Sequence, residues 1–252
     1  MGKDKKENEV KNILCGVAYK GTNYSGWQRQ GNSIGVQDVI ENAIFKALGE
    51  RVNIYGSGRT DAGVHALEQC FNVFLCFENV NKLPLALNCY LPNDIRVLWA
   101  KVVDNNFHAR YSAHKKTYIY NLKCDKVENP FDYDTCEYVK YDLDIKKMQK
   151  GASYFVGKHN FKAFCSANTT VTDYEREIYS FNVSKIEGII KFEVCGNGFL
   201  YNMVRIMVGT LVDVGRGKKK PEDIIYIMQN ENRNNAGKTM SPRGLILKNV
   251  KY

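Results

Sequence analysis

Apolar residues in this chain follow two patterns, one typical of strands and one typical of helices. The order in which these patterns occur constrains the fold more than any other feature of the sequence. In the first half, strand-like alternation and helix-like spacing follow the order strand, helix, strand, strand, helix, strand. The first helix has apolar residues at helical spacing from Val36 to Leu48 and ends at Gly49. The second half repeats this theme, with a hairpin turn at Glu187-Gly188. This order predicts an internally duplicated α+β scaffold with a cleft between its halves.

The boundaries of these parts follow from composition and element order. Residues 1–11 are highly charged, with no apolar region behind them, so we expect a disordered tail and no signal peptide. Residues 12–110 form the predicted N-terminal α+β half, and residues 111–252 form the C-terminal half. Because no Gly/Ser-rich or Pro-rich linker separates them, the halves are expected to share a continuous core.

The charge balance indicates the kind of partner. A net charge of +9 and a pI of about 9.0 suggest a polyanionic partner. The aromatic share of 12% agrees with a nucleic-acid partner, since exposed rings stack on unpaired bases.

The cysteines and apolar runs limit cofactor and location. The eight cysteines contain no C-x-x-C pair, and no zinc-ligand spacing is present, which predicts reduced thiols in a cytoplasmic protein without a metal. No Rossmann fingerprint occurs, and no apolar run is long enough to span a bilayer. We therefore expect no cofactor and no membrane partner.

One polar loop has the composition of a reactive site. Residues 58–65 read Gly-Arg-Thr-Asp-Ala-Gly-Val-His, and they place the Asp61 carboxylate two positions from the Arg59 guanidinium. A nearby cation keeps a carboxylate ionised, and glycines permit tight turns and close approach of a ligand. An ionised, rigidly held Asp can be a nucleophile or an anchor. The alternative is a surface turn with a local ion pair.

This loop and a series of further blocks resemble the tRNA pseudouridine synthase A family. The blocks occur in the family's order and extend over nearly the whole chain. Besides the Asp61 loop they are residues 19–28, Gln37 and Glu41, and residues 91–97, 107–110, 116–120, 157–161 and 199–205.

The resemblance implies a fold, a reaction and a set of roles. The fold is the pseudouridine synthase fold, with two ferredoxin-like halves sharing a mixed, largely antiparallel sheet and a central active-site cleft. The reaction converts uridine to pseudouridine at positions 38, 39 and 40 of the tRNA anticodon stem-loop, in a homodimer. Asp61 matches the family's nucleophile, Arg205 the arginine that pairs with it, and Tyr118 the tyrosine that stacks on the target base.

Other polar residues are candidates for contact with the RNA. The predicted substrate-binding residues are Arg59, Arg29, Arg110, His159 and Arg176. His65 is expected to support the Asp61 loop rather than to act as a general base.

Two departures from the family pattern bear on target selection. Ser241-Pro242-Arg243 replaces the family's usual Ala-Pro-Pro or Ala-Pro-Ala, and Lys20 replaces an acidic residue.

Three alternatives remain open from sequence: a synthase of this family acting at other RNA positions, a non-catalytic RNA-binding module, and a nucleotide-phosphate cradle at residues 56–60. The cradle lacks the Gly-Lys-Ser/Thr ending of a P-loop.

Overall fold

The computed structural model describes residues 9–31, 33–167 and 171–252. The predicted tail lies largely outside these ranges, and the first strand begins at Lys11. The chain divides into two compact units: unit 1 runs to residue 62 and continues over 66–113, and unit 2 comprises 63–65 and 114–252.

Unit 1 has the strand order of a ferredoxin-like motif. Its strands pair antiparallel in the order β4-β1-β3-β2, and the helices follow the first and third strands along the chain. The elements are β1 (Lys11–Tyr19), α1 (Val36–Leu48), β2 (Tyr55–Gly56), β3 (His65–Leu75), α2 (Leu83–Asn88) and β4 (Ile95–Val102).

Unit 2 repeats this order with additions. Strands β10, β5, β9 and β8 are neighbours in that sequence, β7 extends the sheet beyond β8, and β6 pairs parallel with β5. The duplicated α+β organisation predicted from element order is therefore confirmed. The elements are β5 (Lys115–Cys124), β6 (Glu137–Val139), α3 (Ile145–Ser153), β7 (Gly157–Asn160), β8 (Glu175–Ile186), β9 (Ile189–Gly196), α4 (Met203–Gly215), α5 (Asp223–Asn230) and β10 (Leu245–Lys251).

The helices cover the sheets with the apolar faces that their spacing predicts. In unit 1, Val36, Ile40 and Ile44 of α1 are fully buried. In unit 2, a Cβ at Gly151 of α3 would lie 2.9 Å from Leu211, so α3 and α4 approach closely at that glycine. Among the helices in the described ranges, none has the length and apolar character needed to cross a membrane.

Two boundaries differ from the sequence pattern for local reasons. Residues 52–55 alternate like a strand, but β2 contains only Tyr55 and Gly56. The amide of Ile54 donates instead to the buried Glu41 carboxylate at 3.0 Å, so it is not available to a strand ladder. Helix α4 begins at Met203 rather than near Tyr201, because Asn202 has a left-handed backbone with φ of 60°.

Two buried asparagines fasten the segment after β4 to the sheet of unit 1. The side-chain amide of Asn12 donates to the carbonyls of Asp104 and Phe107, each at 2.9 Å. The side-chain carbonyl of Asn12 accepts from the side-chain amide of Asn72 at 2.9 Å. The side-chain carbonyl of Asn72 accepts from the backbone amide of Ala109, also at 2.9 Å. Each asparagine side chain is buried and bonds to more than one polar group. Removal of one asparagine therefore leaves these groups without that hydrogen-bond partner.

We expect Asn12→Ala to lower the free energy of unfolding by about 3 kcal/mol, because it removes the partner of two carbonyls and one amide. Urea unfolding followed by circular dichroism measures this change. The control is Asn53→Ala, an exposed residue, which should change the free energy by less than about 0.5 kcal/mol. Equal midpoints for wild type and Asn12→Ala would contradict the role of this network.

Candidate active site

The Asp61 loop is an enlarged hairpin connection. In unit 2, the second and third strands of the motif, β8 and β9, are joined by Glu187 and Gly188, with φ values of 50° and 80°. At the same place in the first motif, residues 57–64 connect β2 to β3, and residues 57–62 of this connection belong to unit 1. Asp61 is half-buried near the middle of this connection, while Arg59 is exposed.

A buried polar contact holds the start of the loop. Ser57 and Gln69 are fully buried, and the Ser57 hydroxyl donates to the Gln69 carbonyl at 2.5 Å. The Gln69 amide group donates to the carbonyl of Gly58 at 3.0 Å, and the Ser57 amide donates to the carbonyl of Cys70 at 2.7 Å. The Gln69 side chain thus takes the place of a strand partner for a loop that has left the sheet.

The middle of the loop rests on residues of the first sequence block. The Thr60 hydroxyl hydrogen-bonds to the Tyr19 phenol at 2.8 Å, and the Trp27 amide donates to the Thr60 carbonyl at 3.1 Å. Gly26 has φ of +91°, and a Cβ there would lie 2.4 Å from the Thr60 carbonyl oxygen. Only glycine combines this backbone angle with so close an approach. The residue before Asp61 is therefore fixed from two sides.

Gly63 and His65 belong to unit 2, where they meet the Ser241-Pro242-Arg243 segment. Gly63 has φ of +77°, and a Cβ there would lie 2.9 Å from the Pro242 ring. His65 is buried, and its Nε2 is 3.1 Å from the carbonyl oxygen of Arg243. These contacts give His65 a partner that suits support of the loop.

The Arg243 side chain is engaged by acidic and aromatic neighbours within unit 2. Its guanidinium donates to both oxygens of Glu128, at 2.9 and 3.1 Å, and to Glu137 at 3.1 Å. The hydrogen bonds to Glu128, opposed by desolvation and reinforced by those to Glu137, raise the pKa of Arg243 above its ordinary value. Tyr133 and Tyr138 lie over the same group. Since two carboxylates offset its charge, Arg243 is a structural link within unit 2.

Tyr118 lies in the middle of β5, opposite Val194 of β9 and Leu247 of β10. Its side chain is 9% exposed. Its ring meets Phe199 edge to face, with centroids 5.2 Å apart. The ring is therefore held in one orientation by its neighbours.

Arg205 is held by two oxygen acceptors of unit 2. Its Nε donates to the carbonyl of Met240 and its Nη1 to the Asn202 side chain, both at 2.6 Å. Asn202 in turn donates to the Ser166 hydroxyl at 2.9 Å. The left-handed backbone of Asn202 places this side chain at the start of α4, one turn before Arg205.

The other predicted RNA contacts are spread over both units. Arg29 pairs with Asp38 at 2.8 Å and also with Glu41. Arg110 is exposed. His159 and Arg176 are paired opposite each other on β7 and β8, and the Arg176 guanidinium donates to the carbonyl of Asp173 at 3.2 Å. Sequence patterns missed Gln69, although a glutamine inside the apolar β3 run is a detectable signal for a buried polar partner.

Comparison with known proteins identifies the class. The family model described as tRNA pseudouridine synthase matches residues 16–112 and 152–252. A tRNA pseudouridine synthase A of Thermoanaerobacter sp. (strain X514) is 45% identical over 96% of this chain and all of its own length. The same named protein of Caldicellulosiruptor saccharolyticus is 46% identical and that of Brevibacillus brevis 41% identical, again over 96% of this chain and all of theirs.

Together these matches define an RNA-modifying isomerase. The chain belongs to the tRNA pseudouridine synthase family.

The buried contact beneath the loop generates a test. We expect Gln69→Leu to lower kcat for pseudouridine formation at least about tenfold while tRNA affinity stays within about twofold, because loss of the Gly58 and Ser57 contacts misplaces the loop. Steady-state kinetics and equilibrium binding give the two quantities.

The matched control is Gln149→Leu, which removes a similar side-chain bond to the carbonyl of Val183 in unit 2. It should leave kcat unchanged. Equal kcat for Gln69→Leu and wild type would show that the loop does not depend on this glutamine.

Proposed function

We propose that this protein converts uridine to pseudouridine at positions 38, 39 and 40 of the tRNA anticodon stem-loop. The observation that carries this function is the Asp61 loop, fixed by buried hydrogen bonds in a chain of this family. The relatives named tRNA pseudouridine synthase A, at 41–46% identity over their full length, support tRNA as the substrate.

The reaction requires few chemical groups. The N1–C1′ bond of uridine breaks, the base turns, and a C5–C1′ bond forms. The proton of C5 is lost and N1 gains one, so the atoms balance without an oxidant or reductant. An ionised carboxylate can start this reaction in two ways: it can attack the base, or it can remove a proton from the sugar.

Asp61 is the reacting carboxylate in this proposal, and Arg205 is the cation that keeps it ionised. The support for Arg205 is its match to the family block and its orientation by Asn202 and the Met240 carbonyl. Tyr118 stacks on the target base after the base leaves the helix. Its fixed ring needs little further ordering when a base arrives.

The proposed RNA surface includes Arg59, Arg29, Arg110, His159 and Arg176. Net charge of +9 supports contact with a polyanion much larger than one nucleotide. We further propose a homodimer in the cytoplasm, on the strength of the family resemblance. Light scattering of the purified protein tests the dimer, and an active monomer would contradict it.

Asp61→Asn keeps the shape of the side chain and removes its charge. We expect a loss of at least about 1,000-fold in kcat, with tRNA affinity within about threefold of wild type. Release of tritium from C5 of labelled uridine in tRNA measures the reaction, because C5 loses its proton when the new bond forms. The control is Glu78→Gln, an exposed carboxylate of unit 1 that should keep full activity. Full activity of Asp61→Asn would refute the proposed mechanism.

Substitutions of Tyr118 separate its ring from its hydroxyl. Because stacking requires only the ring, Tyr118→Leu should bind substrate tRNA more weakly than Tyr118→Phe, by about fivefold or more. Tyr118→Phe also tests whether the hydroxyl takes part in proton transfer, through its effect on kcat. Thermal unfolding of both variants checks that β5 remains packed. Equal affinities would argue against stacking on the base.

A further inference from the structure

Three rings and one guanidinium lie close together on the surface of unit 1. Of these four residues, only Arg110 has a role assigned above. The His108 ring is 4.5 Å from that of Tyr111 and 5.3 Å from that of Tyr55, centroid to centroid. The Arg110 guanidinium lies 5.8 Å from the centroid of Tyr111. We call these four residues the aromatic platform.

The platform presents its rings to solvent. Tyr111 is 77% exposed and Tyr55 is 42% exposed. Contiguous exposed rings cost hydration free energy in the free protein, and they mark a binding surface more often than scattered ones do. The polar edge of the platform, with two phenols, an imidazole and a guanidinium, suits a polar, flat ligand.

The backbone beneath the platform is fixed. The amide of Ala109 donates to Asn72, and the carbonyl of Phe107 accepts from Asn12. The amide of Arg110 donates to Nδ1 of His108 at 3.1 Å, which sets the orientation of the imidazole ring. A surface that is ordered before binding loses little entropy when its ligand arrives.

We propose that the aromatic platform is an RNA-binding site, in which Tyr111 stacks on an unpaired base and Arg110 contacts the neighbouring phosphate. This inference rests on the proposed function for the identity of the RNA. Aromatic faces beside a guanidinium are the usual means of holding unpaired nucleotides. The positive charge of the chain favours RNA over an apolar protein partner.

The platform is near the reacting carboxylate along the chain. Tyr55 lies six positions before Asp61, and six residues span at most about 22 Å. At about 3.4 Å for each stacked nucleotide, this upper bound for Tyr55 corresponds to about six nucleotides. Tyr111 lies beyond Tyr55 by two ring contacts of 5.3 and 4.5 Å, which adds at most about three nucleotides. The platform would therefore hold a base in the same arm of the RNA as the target uridine.

The test measures binding of an unmodified tRNA transcript by Tyr111→Leu and Tyr111→Phe, both in the Asp61→Asn background so that no turnover occurs. We expect about tenfold weaker binding for Leu and a change within about twofold for Phe, because stacking needs only the ring. Tyr90→Leu is the control, since Tyr90 is 50% exposed in the same unit and lies outside the platform. It should bind as the parent does.

Salt dependence separates the two roles in the platform. Arg110→Ala should reduce the slope of log affinity against log salt by about one, whereas Tyr111→Leu should leave the slope unchanged. Parent-like binding by Tyr111→Leu, or equal losses for Leu and Phe, would overturn the proposal. So would a change of oligomeric state in Tyr111→Leu, seen by light scattering, because the ring would then contact another copy of the chain.

Turnover by the protein with Asp61 intact is measured on the same transcript. If the protein modifies the transcript but Tyr111→Leu does not weaken binding, the platform proposal is refuted and the proposed function stands. If Tyr111→Leu weakens binding but the protein does not modify the transcript, the proposed function is refuted and the platform stands.

Discussion

The hydrogen bonds of the buried Gln69 side chain are the interaction on which the Asp61 loop depends. One amide accepts from Ser57 and donates to Gly58, so it satisfies polar groups that left the sheet when the hairpin was enlarged. Thr60 adds contacts to Tyr19 and Trp27 at the next turn of the loop. A loop with its polar groups satisfied beneath it can present one carboxylate in a defined position.

The same strand order in both units explains why this loop is distinctive. Each unit arranges its four principal strands as fourth, first, third and second, and each joins its second and third strands directly along the chain. In unit 2 that connection is Glu187-Gly188, which only turns the chain. Between β2 and β3 the connection extends over residues 57–64, and its unit 1 part carries Asp61. The scaffold is thus duplicated, and the carboxylate that we propose as the reacting group lies in a local insertion at one of two equivalent places.

Much of the fold followed from sequence because apolar spacing is a local signal. The span of α1, the hairpin at Glu187-Gly188 and the order of elements were predicted, and the structure agrees. Side chains that take over backbone partners could not be predicted in this way. The Glu41 carboxylate that accepts from Ile54 shortens β2, and the Gln69 amide lies where alternation alone gives no sign of a loop above it.

The candidate site divides similarly into predicted and unpredicted parts. Asp61, Tyr118 and Arg205 are predicted as site residues because they lie in sequence blocks that resemble the family. The hydrogen bonds of Arg205 to Asn202 and Met240 are visible only in the folded structure. The hydrogen bonds of Arg243 to Glu128 could not be predicted from local sequence patterns either, because these residues are distant along the chain.

Nucleoside mapping of tRNA tests the proposed activity most directly. It compares tRNA from cells that lack this protein with tRNA from cells in which the gene has been restored. We predict that pseudouridine disappears from positions 38, 39 and 40, remains at other positions, and returns with the restored gene. Unchanged pseudouridine at all three positions in the cells without the protein would contradict it.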